Sequence, residues 1–561
     1  MVKFDFTDGG LVRISTHYDQ RSRCMAVPGG RWVPRNKSWE YLLTPATASC
    51  ICQAFSRELN EEDKQRLKSL SDRLMMAQAV KNDCTELQVP LTNFPPWKHQ
   101  LVSYNMVREL FALDNGSTDG GGALLALDMG AGKTKISVDL ICNFPEKFQK
   151  VLVVCPASVI EVWTGNKDRK GQFEIHAVPE AYKRLLITAV NGKGNSTEKK
   201  TKNAELHRQA AAHQKKQFIA VVNYETAWRE PFATWARDVR FDLVVADEVH
   251  RTKSPGGRSS KFFAQLAKTA RYRLGLSGTP LAHSPLDIYG QYRFLDPGIF
   301  GTNYVKFRSD YAVLGGFEGR QVVSYRNHED LHDKMFLIAH RVMSRDVFDL
   351  PVFQSEIRTC TLSSTEQKVY NEMDQDMCTQ INDGLVSAAN ALTKLLRLQE
   401  ITSGYLDGQP VGDSKKKLLA DTMEDFDQKE PLVVCARFTN DLRAVREVAE
   451  SQGRRYAELS GHANDLSQWQ IGNSDVLGVQ IKSGREGVDF TRARYNILYS
   501  LGFSLGDYEQ FLKRSDRPGQ TREGMFIHLL ATDTVDFKVM KALEEHREVI
   551  DSVLTQYKEL I

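Results

Sequence analysis

Ala123-Leu124-Leu125-Ala126-Leu127-Asp128-Met129-Gly130-Ala131-Gly132-Lys133-Thr134 is the stretch whose reading decides the fold of this chain. The five apolar residues read as a strand buried on both faces, and Thr134 to Ile141 reads as a helix. Between them, Gly130, Ala131 and Gly132 let successive backbone N–H groups face an anion. Lys133 is placed to reach the β- and γ-phosphates of a nucleotide, and the Thr134 hydroxyl to ligate Mg2+. Strand, glycine turn and helix in that order aim a helix N-terminus at phosphate. The strict pattern asks for glycine at 127, where Leu127 stands, so the reading needs support from the rest of the chain.

That support comes first from Asp247-Glu248-Val249-His250, at the end of the expected strand Phe241 to Ala246. A carboxylate at the end of a buried strand lies where open α/β sheets bind ligands. Asp247 would hold Mg2+ and Glu248 would orient and deprotonate an attacking water. Short apolar runs stand at Val151–Cys155, Phe218–Val222 and, within that strand, Leu243–Ala246, and a second series at Leu432–Cys435, Val476–Gln480 and Tyr495–Tyr499. Two parallel-sheet α/β lobes are expected, separated by a stretch of mixed helical character with no clear strand series. In the second lobe, Gln510-Phe511-Leu512-Lys513-Arg514-Ser515-Asp516-Arg517-Pro518-Gly519-Gln520 carries two arginines three apart, which share a face on a helix. Guanidinium charge on a γ-phosphate stabilises its transfer.

Size and composition agree. A chain of 561 residues exceeds one core, and 41% hydrophobic with 26% charged residues is ordinary globular composition. A net charge of +3 neither demands nor excludes nucleic acid, which responds to local clusters. The nine cysteines have no zinc spacing and are expected to be reduced thiols. No apolar run is long enough to span a bilayer, and the N-terminus lacks a signal-peptide core. Asn191 to Lys216 is lysine-rich, either a solvated insertion or an arm that touches phosphates. Asp536 to Leu560 reads as one amphipathic helix.

These motifs, in this order, resemble those of Swi2/Snf2-type superfamily 2 ATPases over roughly residues 95–545. Gln100, in Pro96-Trp97-Lys98-His99-Gln100, matches the glutamine that reads adenine. Met129 to Thr134 is similar to MGLGKT, and Cys155-Pro156-Ala157-Ser158 with Trp163 to motif Ia. Asn223-Tyr224-Glu225 matches motif Ib, Asp247 to His250 the DEAH box, and Ser277-Gly278-Thr279-Pro280 motif III. Ser483-Gly484-Arg485-Glu486-Gly487-Val488-Asp489-Phe490 resembles motif V, and Gln510 to Gln520 matches motif VI at every defined position. The resemblance implies ATP and Mg2+ as cofactors and two tandem RecA-like lobes with helical insertions. It adds His250, Gly487, Asp489 and Gln510 to the nucleotide site. It also gives Ser158, Asn223, Thr279 and Arg485 as nucleic-acid contacts. Three departures stand out: His283 in place of asparagine after motif III, Arg485-Glu486 and Asp489 in motif V, and Leu398-Gln399-Glu400-Ile401-Thr402-Ser403-Gly404 in place of the CNHP stretch.

Gly30-Arg31-Trp32-Val33-Pro34-Arg35-Asn36-Lys37-Ser38-Trp39-Glu40-Tyr41 is similar to the HARP motif of annealing helicases, Snf2 relatives that rewind DNA. Arg31, Arg35 and Lys37 offer cations to phosphates, and Trp32 and Trp39 offer stacking faces to bases. The same tryptophans also suit the core of a small domain, and both readings hold if one indole is buried and the other exposed. The expected organisation is a HARP-like α/β module and linker over 1–90 and a first RecA-like lobe over 91–283. Helical protrusions and linker follow over 284–400, and a second lobe with its terminal helix over 401–561.

The function expected is a DNA-dependent ATPase that translocates on duplex, forked or branched DNA and remodels it by annealing or branch migration. A strand-separating DNA or RNA helicase acting on single strands remains the nearest alternative, and the motor of a multi-protein defence or restriction assembly a further one. No nuclease-like cluster is present, and a monomer suffices mechanically. The expected compartment is the cytoplasm for a bacterial or phage protein and the nucleus for a eukaryotic one.

Overall fold

The computed structural model describes residues 2–7, 10–83, 87–114, 119–190, 205–206, 209, 216–316, 319, 321–382, 388–483 and 488–554, with backbone alone within 376–392. The lysine-rich stretch 191–216 therefore lies almost wholly outside the described residues. Two compact units result, one of residues 1–347 with 550–561 and one of residues 348–549.

The first unit opens with four antiparallel strands: β1 (Lys3–Phe6), β2 (Leu11–Ser15), β3 (Arg31–Val33) and β4 (Ser38–Leu42), in the order β1-β2-β4-β3. Strand alternation puts Val12, Ile14 and Tyr41 on the inner face, while Arg13 and Glu40 form an outer ion pair at 2.9 Å. Helices Pro45–Phe55 and Glu61–Asn82 cover the inner face with Ile51, Phe55, Leu67 and Leu70. Each such side chain contributes about 1.5–3 kcal/mol. Thr44 caps the first helix by accepting from Thr47 N–H at 3.1 Å, with Pro45 pre-set at the first helical position. The Thr44 hydroxyl also donates to the fully buried Asp296 at 2.6 Å. Close backbone approach completes the contact, since a Cβ on Gly298 would lie 2.3 Å from the Thr47 hydroxyl.

The first parallel sheet contains β5 (Gly121–Leu127), β6 (Lys150–Cys155), β7 (Leu185–Val190), β8 (Gln217–Asn223), β9 (Leu243–Asp247) and β10 (Tyr272–Leu276). A hairpin, β11 (Ala312–Gly315) with β12 (Gln321–Tyr325), then precedes β13 (Ala339–Val342), which joins the same sheet. The order is β13-β5-β10-β9-β6-β8-β7, parallel throughout. β5 begins two residues before its apolar run because Gly122 packs against Leu295, whose carbonyl oxygen would lie 2.0 Å from a Cβ.

The second unit holds β14 (Phe353–Cys360), a short hairpin of β15 (Tyr405–Leu406) and β16 (Gln409–Pro410), then β17 (Leu432–Ala436), β18 (Tyr456–Leu459), β19 (Val476–Gln480), β20 (Tyr495–Leu498) and β21 (Gly524–Ala531). Its sheet is also all parallel, in the order β14-β21-β20-β17-β19-β18. The expected fold class, two parallel-sheet lobes that follow a small α/β module in the chain, is the one observed.

One expectation is corrected. The stretch 284–400 is not free of strands, because β13 completes the first sheet and β14 the second. Both are edge strands. His340 and Arg341 interrupt β13, and exposed Gln354 and Ser355 interrupt β14, so neither shows the continuous apolar run of a central strand. Of the terminal helix, Val535–Leu554 is described and 555–561 lies outside. No helix among the described residues is long and apolar enough to cross a membrane. Cys24, Cys50, Cys52, Cys142, Cys155, Cys360 and Cys435 are free thiols.

Candidate nucleotide site

The phosphate loop connects β5 to helix Lys133–Asn143. Gly130 at φ 82° and Gly132 at φ 89° occupy the left-handed region that the turn demands and that glycine adopts without strain. A side chain at 132 would also strike Gln100, whose Nε2 would lie 2.2 Å from its Cβ. Gln100 is buried; its Nε2 donates to Ala131 O at 3.1 Å, and its Oε1 accepts from Trp97 N–H at 3.0 Å. His99 Nε2–H donates to the same Ala131 carbonyl at 2.9 Å. Lys133 Nζ donates to Leu127 O at 2.7 Å and Asp128 O at 3.2 Å, so the ammonium lies inside the curl of the loop. Thr134 follows it in the first turn of the helix.

Asp247 ends β9 and is buried with its carboxylate accepting from Trp163 Nε1–H at 3.0 Å. Burial first, then the neighbouring Glu248, pushes the Asp247 carboxyl well above the usual carboxylate range, and the Trp163 bond opposes them. Glu248 adopts φ 55° and ψ 53°, a left-handed conformation that costs a non-glycine residue on the order of 1–3 kcal/mol. The Tyr224 hydroxyl sits beneath this turn, 2.9 Å from Asp247 O and 3.3 Å from Glu248 O. Glu248 Oε2 is buried and makes no hydrogen bond among the described residues, with His250 Nδ1 at 3.3 Å. His250 Nδ1 in turn lies 3.0 Å from the Ser277 hydroxyl, which accepts from Thr279 N–H at 3.1 Å. A polar chain therefore runs from Glu248 through His250 to the Ser277–Thr279 turn after β10. Chemically, an acceptor carboxylate with an unused buried oxygen beside a phosphate cradle suits proton removal from water.

Ser158 lies just past the end of β6 and Asn223 is the last residue of the paired β8, on the same carboxyl edge of the sheet as Asp247. Ser158 is exposed, while Asn223 Nδ2 donates to Glu225 Oε2 at 2.9 Å. In the N-terminal sheet, Trp32 and Trp39 are directly paired across β3 and β4, with ring centroids 5.9 Å apart. Trp39 packs on the core, whereas Trp32 is 44% exposed on the edge strand, with Arg31, Arg35 and Lys37 also exposed.

In the second unit, helix Leu505–Leu512 ends before the two arginines, which lie in the turns that follow. The expectation that Arg514 and Arg517 share a helical face is thereby corrected. Ser515 N–H and Asp516 N–H both return to Leu512 O, and Pro518 disfavours helical backbone at Arg517. The pair converges nonetheless: Arg514 Nη1 and Arg517 Nη1 donate to Val488 O at 3.4 and 3.3 Å. Asp489 lies 3.9 Å from Arg517, and Gln510 is buried in the helix. Arg485 and Gly487 lie outside the described residues. Gln399, in the stretch replacing CNHP, is buried and donates to Leu501 O at 2.7 Å.

Sequence reasoning assigned no role to Tyr224 or Ser344 and named Trp163 only within a motif. Trp163 and Asp247 are 84 positions apart, so no local pattern reveals their bond.

A family model for the SNF2-related domain matches residues 73–404. A putative protein, p41, of Acyrthosiphon pisum secondary endosymbiont phage 1 is 25% identical over 366 residues, 61% of this chain and 77% of its own length. YqhH of Bacillus subtilis (strain 168), described as an uncharacterised ATP-dependent helicase, is 22% identical over 512 residues, 84% of this chain and 82% of its own. The Homo sapiens DNA annealing helicase and endonuclease ZRANB3 is 24% identical over 460 residues, 79% of this chain and 39% of its own. With two parallel-sheet lobes and a family match over more than half its length, this chain belongs to the SNF2-related family and is an ATP-hydrolysing enzyme of the Snf2 type.

Proposed function

We propose that this ATPase is stimulated by DNA, translocates on duplex DNA, and remodels forks or junctions by annealing or branch migration. The observation that carries this reading is the edge strand β3, which presents exposed Trp32 beside Arg31, Arg35 and Lys37. Cations give salt-dependent phosphate contacts, and an exposed indole gives a stacking face at a single-strand boundary. The likeness to a relative described as a DNA annealing helicase supports it. Thr44 and Asp296 fix the module to the lobe that carries the phosphate loop, which suits substrate recognition feeding into hydrolysis.

In the proposed mechanism, Lys133 and the loop N–H groups hold phosphate oxygens, and Glu248 accepts the proton of the attacking water. Arg514 and Arg517, which converge on Val488 O, are the pair of cations suited to offset phosphate charge. Thr134 and Asp247 offer the oxygen donors that suit a hard cation, and they would hold Mg2+. Bound Mg2+ neutralises phosphate charge. The Glu248–His250–Ser277 chain gives hydrolysis a route to Thr279 on the carboxyl edge of the sheet.

The test is steady-state ATPase activity at one salt concentration with no nucleic acid, single-stranded, duplex or forked DNA, or RNA, using Lys133→Ala as the blank. Strongest stimulation by forked or duplex DNA supports the proposal, and strand annealing is then measured directly. Strongest stimulation by RNA or single strands moves the protein to the strand-separating class.

A further inference from the structure

The phosphate loop receives support from a segment that none of its motifs includes. β13 lies beside β5, and the loop continues from the end of β5. Val342 O accepts from Asp128 N–H at 2.9 Å, which extends the ladder past the strand into the loop. Two residues on, Ser344 is buried and touches the loop twice. Its N–H donates to Asp128 Oδ2 at 3.1 Å, and its hydroxyl donates to Met129 O at 3.4 Å. The other end of the loop, Ala131 O, is held by His99 and Gln100.

The two supports are themselves joined. His340 on β13 is 2.8 Å from the Ser103 hydroxyl, which donates to His99 O at 3.0 Å. The entrance to β13 is gripped as well: Gln78 Nε2 donates to Phe336 O at 2.7 Å, and Lys81 Nζ donates to Phe336 O at 2.7 Å and Ala339 O at 3.1 Å. A loop whose glycines permit several conformations is thus bracketed at Asp128–Met129 and at Ala131 by elements that are fixed to each other. Between these anchors stands Gly130 alone, so the path of the loop is largely set before nucleotide arrives.

We infer that Ser344 is a positioning residue for nucleotide binding. By fixing Asp128 and Met129 it presets the N–H groups that follow, so that binding does not have to order them. The inference rests on the reading of residues 128–134 as the nucleotide loop. Ser344 touches protein groups alone, so its effect belongs in affinity for nucleotide rather than in the chemical step. Asp128 shares the role, because its carboxylate accepts the Ser344 N–H.

The test measures binding of fluorescent mant-ADP, KM for ATP, kcat and melting temperature in the full chain. Ser344→Ala removes the hydroxyl bond and is expected to weaken mant-ADP binding and raise KM about threefold to tenfold, with kcat within twofold. Ser344→Thr keeps the hydroxyl and should restore binding, while Asp128→Ala should weaken it further. Unchanged mant-ADP affinity in Ser344→Ala overturns the inference. A fall in melting temperature with no split between KM and kcat, shared by Ser344→Thr, overturns it equally by making the residue structural. Lys133→Ala separates the two layers of the argument. If that variant still binds mant-ADP, the loop reading itself fails. If it does not bind and Ser344→Ala binds normally, only the role of Ser344 falls.

Discussion

Replacing Trp163 by phenylalanine should slow hydrolysis without touching any residue of the phosphate loop. The indole is fully buried, its ring 5.7 Å from Phe173, and its N–H is 3.0 Å from an Asp247 carboxylate oxygen. Phenylalanine keeps most of the apolar contact with Phe173 and deletes the donor. A hydrogen bond to an ionised acceptor contributes about 1.5–3 kcal/mol, and the acceptor here stays buried when the bond is lost. At about 1.4 kcal/mol per factor of ten, kcat/KM should fall by up to roughly 10- to 100-fold, the upper figure being reached where the bond strengthens fully as charge develops at Asp247. The smaller ring adds a packing loss of about 1 kcal/mol, and with the lost bond the melting temperature should fall by several degrees in a unit this large. Steady-state hydrolysis with saturating DNA reads the first effect and thermal melting the second. A double-mutant cycle with Asp247→Asn isolates the cause. If the indole acts through the charge on Asp247, Trp163→Phe should cost little further activity in the Asp247→Asn background. Turnover within threefold of the parent, or full additivity of the two substitutions, refutes the reasoning.

Five further substitutions have expected outcomes. Glu248→Gln should abolish turnover while mant-ADP binding survives; undiminished hydrolysis excludes Glu248 as the base. Trp32→Ala should weaken binding of forked DNA by about 1–3 kcal/mol with only a small fall in melting temperature, because much of the ring is exposed and its main protein contact is with Trp39. Trp39→Ala, which empties part of the module core, should instead lower that temperature, and equal behaviour of the two would contradict the placement of their rings. Gly298→Val drives a side chain into Thr47 and should destabilise the first unit by about 1–3 kcal/mol, with proteolysis of the N-terminal module as the readout. Burial pulls the Lys81 ammonium down to about 8 from its ordinary 10.5. Between those values the folded chain has released a proton that the unfolded chain retains, so stability rises with pH across the window and the full cost is present below it. Lys81→Met should flatten that rise in melting curves taken from pH 8 to pH 10.

How far the sequence reached follows from where each residue sits in its sheet. Central strands such as β6, β8, β9 and β17 are covered on both faces, so each is an unbroken apolar run that can be read directly. Edge strands β13 and β14 mix charged and apolar residues and were invisible for the same reason. The loop glycines were legible because a positive φ and close approach leave few other choices, and both proved to have φ above 80°. Arg514 and Arg517 were legible as a pair but not as a turn, since spacing alone cannot weigh Pro518 against helical continuity. Ser344 and Asp128 are 216 positions apart, a distance over which only the folded sheet brings residues together.

The position of β13 also has a consequence for how this protein is made. β5, which leads into the phosphate loop, is Gly121–Leu127, yet its outer neighbour is Ala339–Val342. At about 5–20 residues per second, translation leaves the β13-facing edge of β5 bare for on the order of 10–40 s, and the β10-facing edge bare for the first part of that time. During that interval the strand offers unpaired N–H and C=O groups to any other nascent chain, and its apolar sequence makes it adhesive. Fragments truncated after Pro280 keep that edge bare permanently. They should aggregate on expression more than fragments continued past Val347, in which β13 covers that edge.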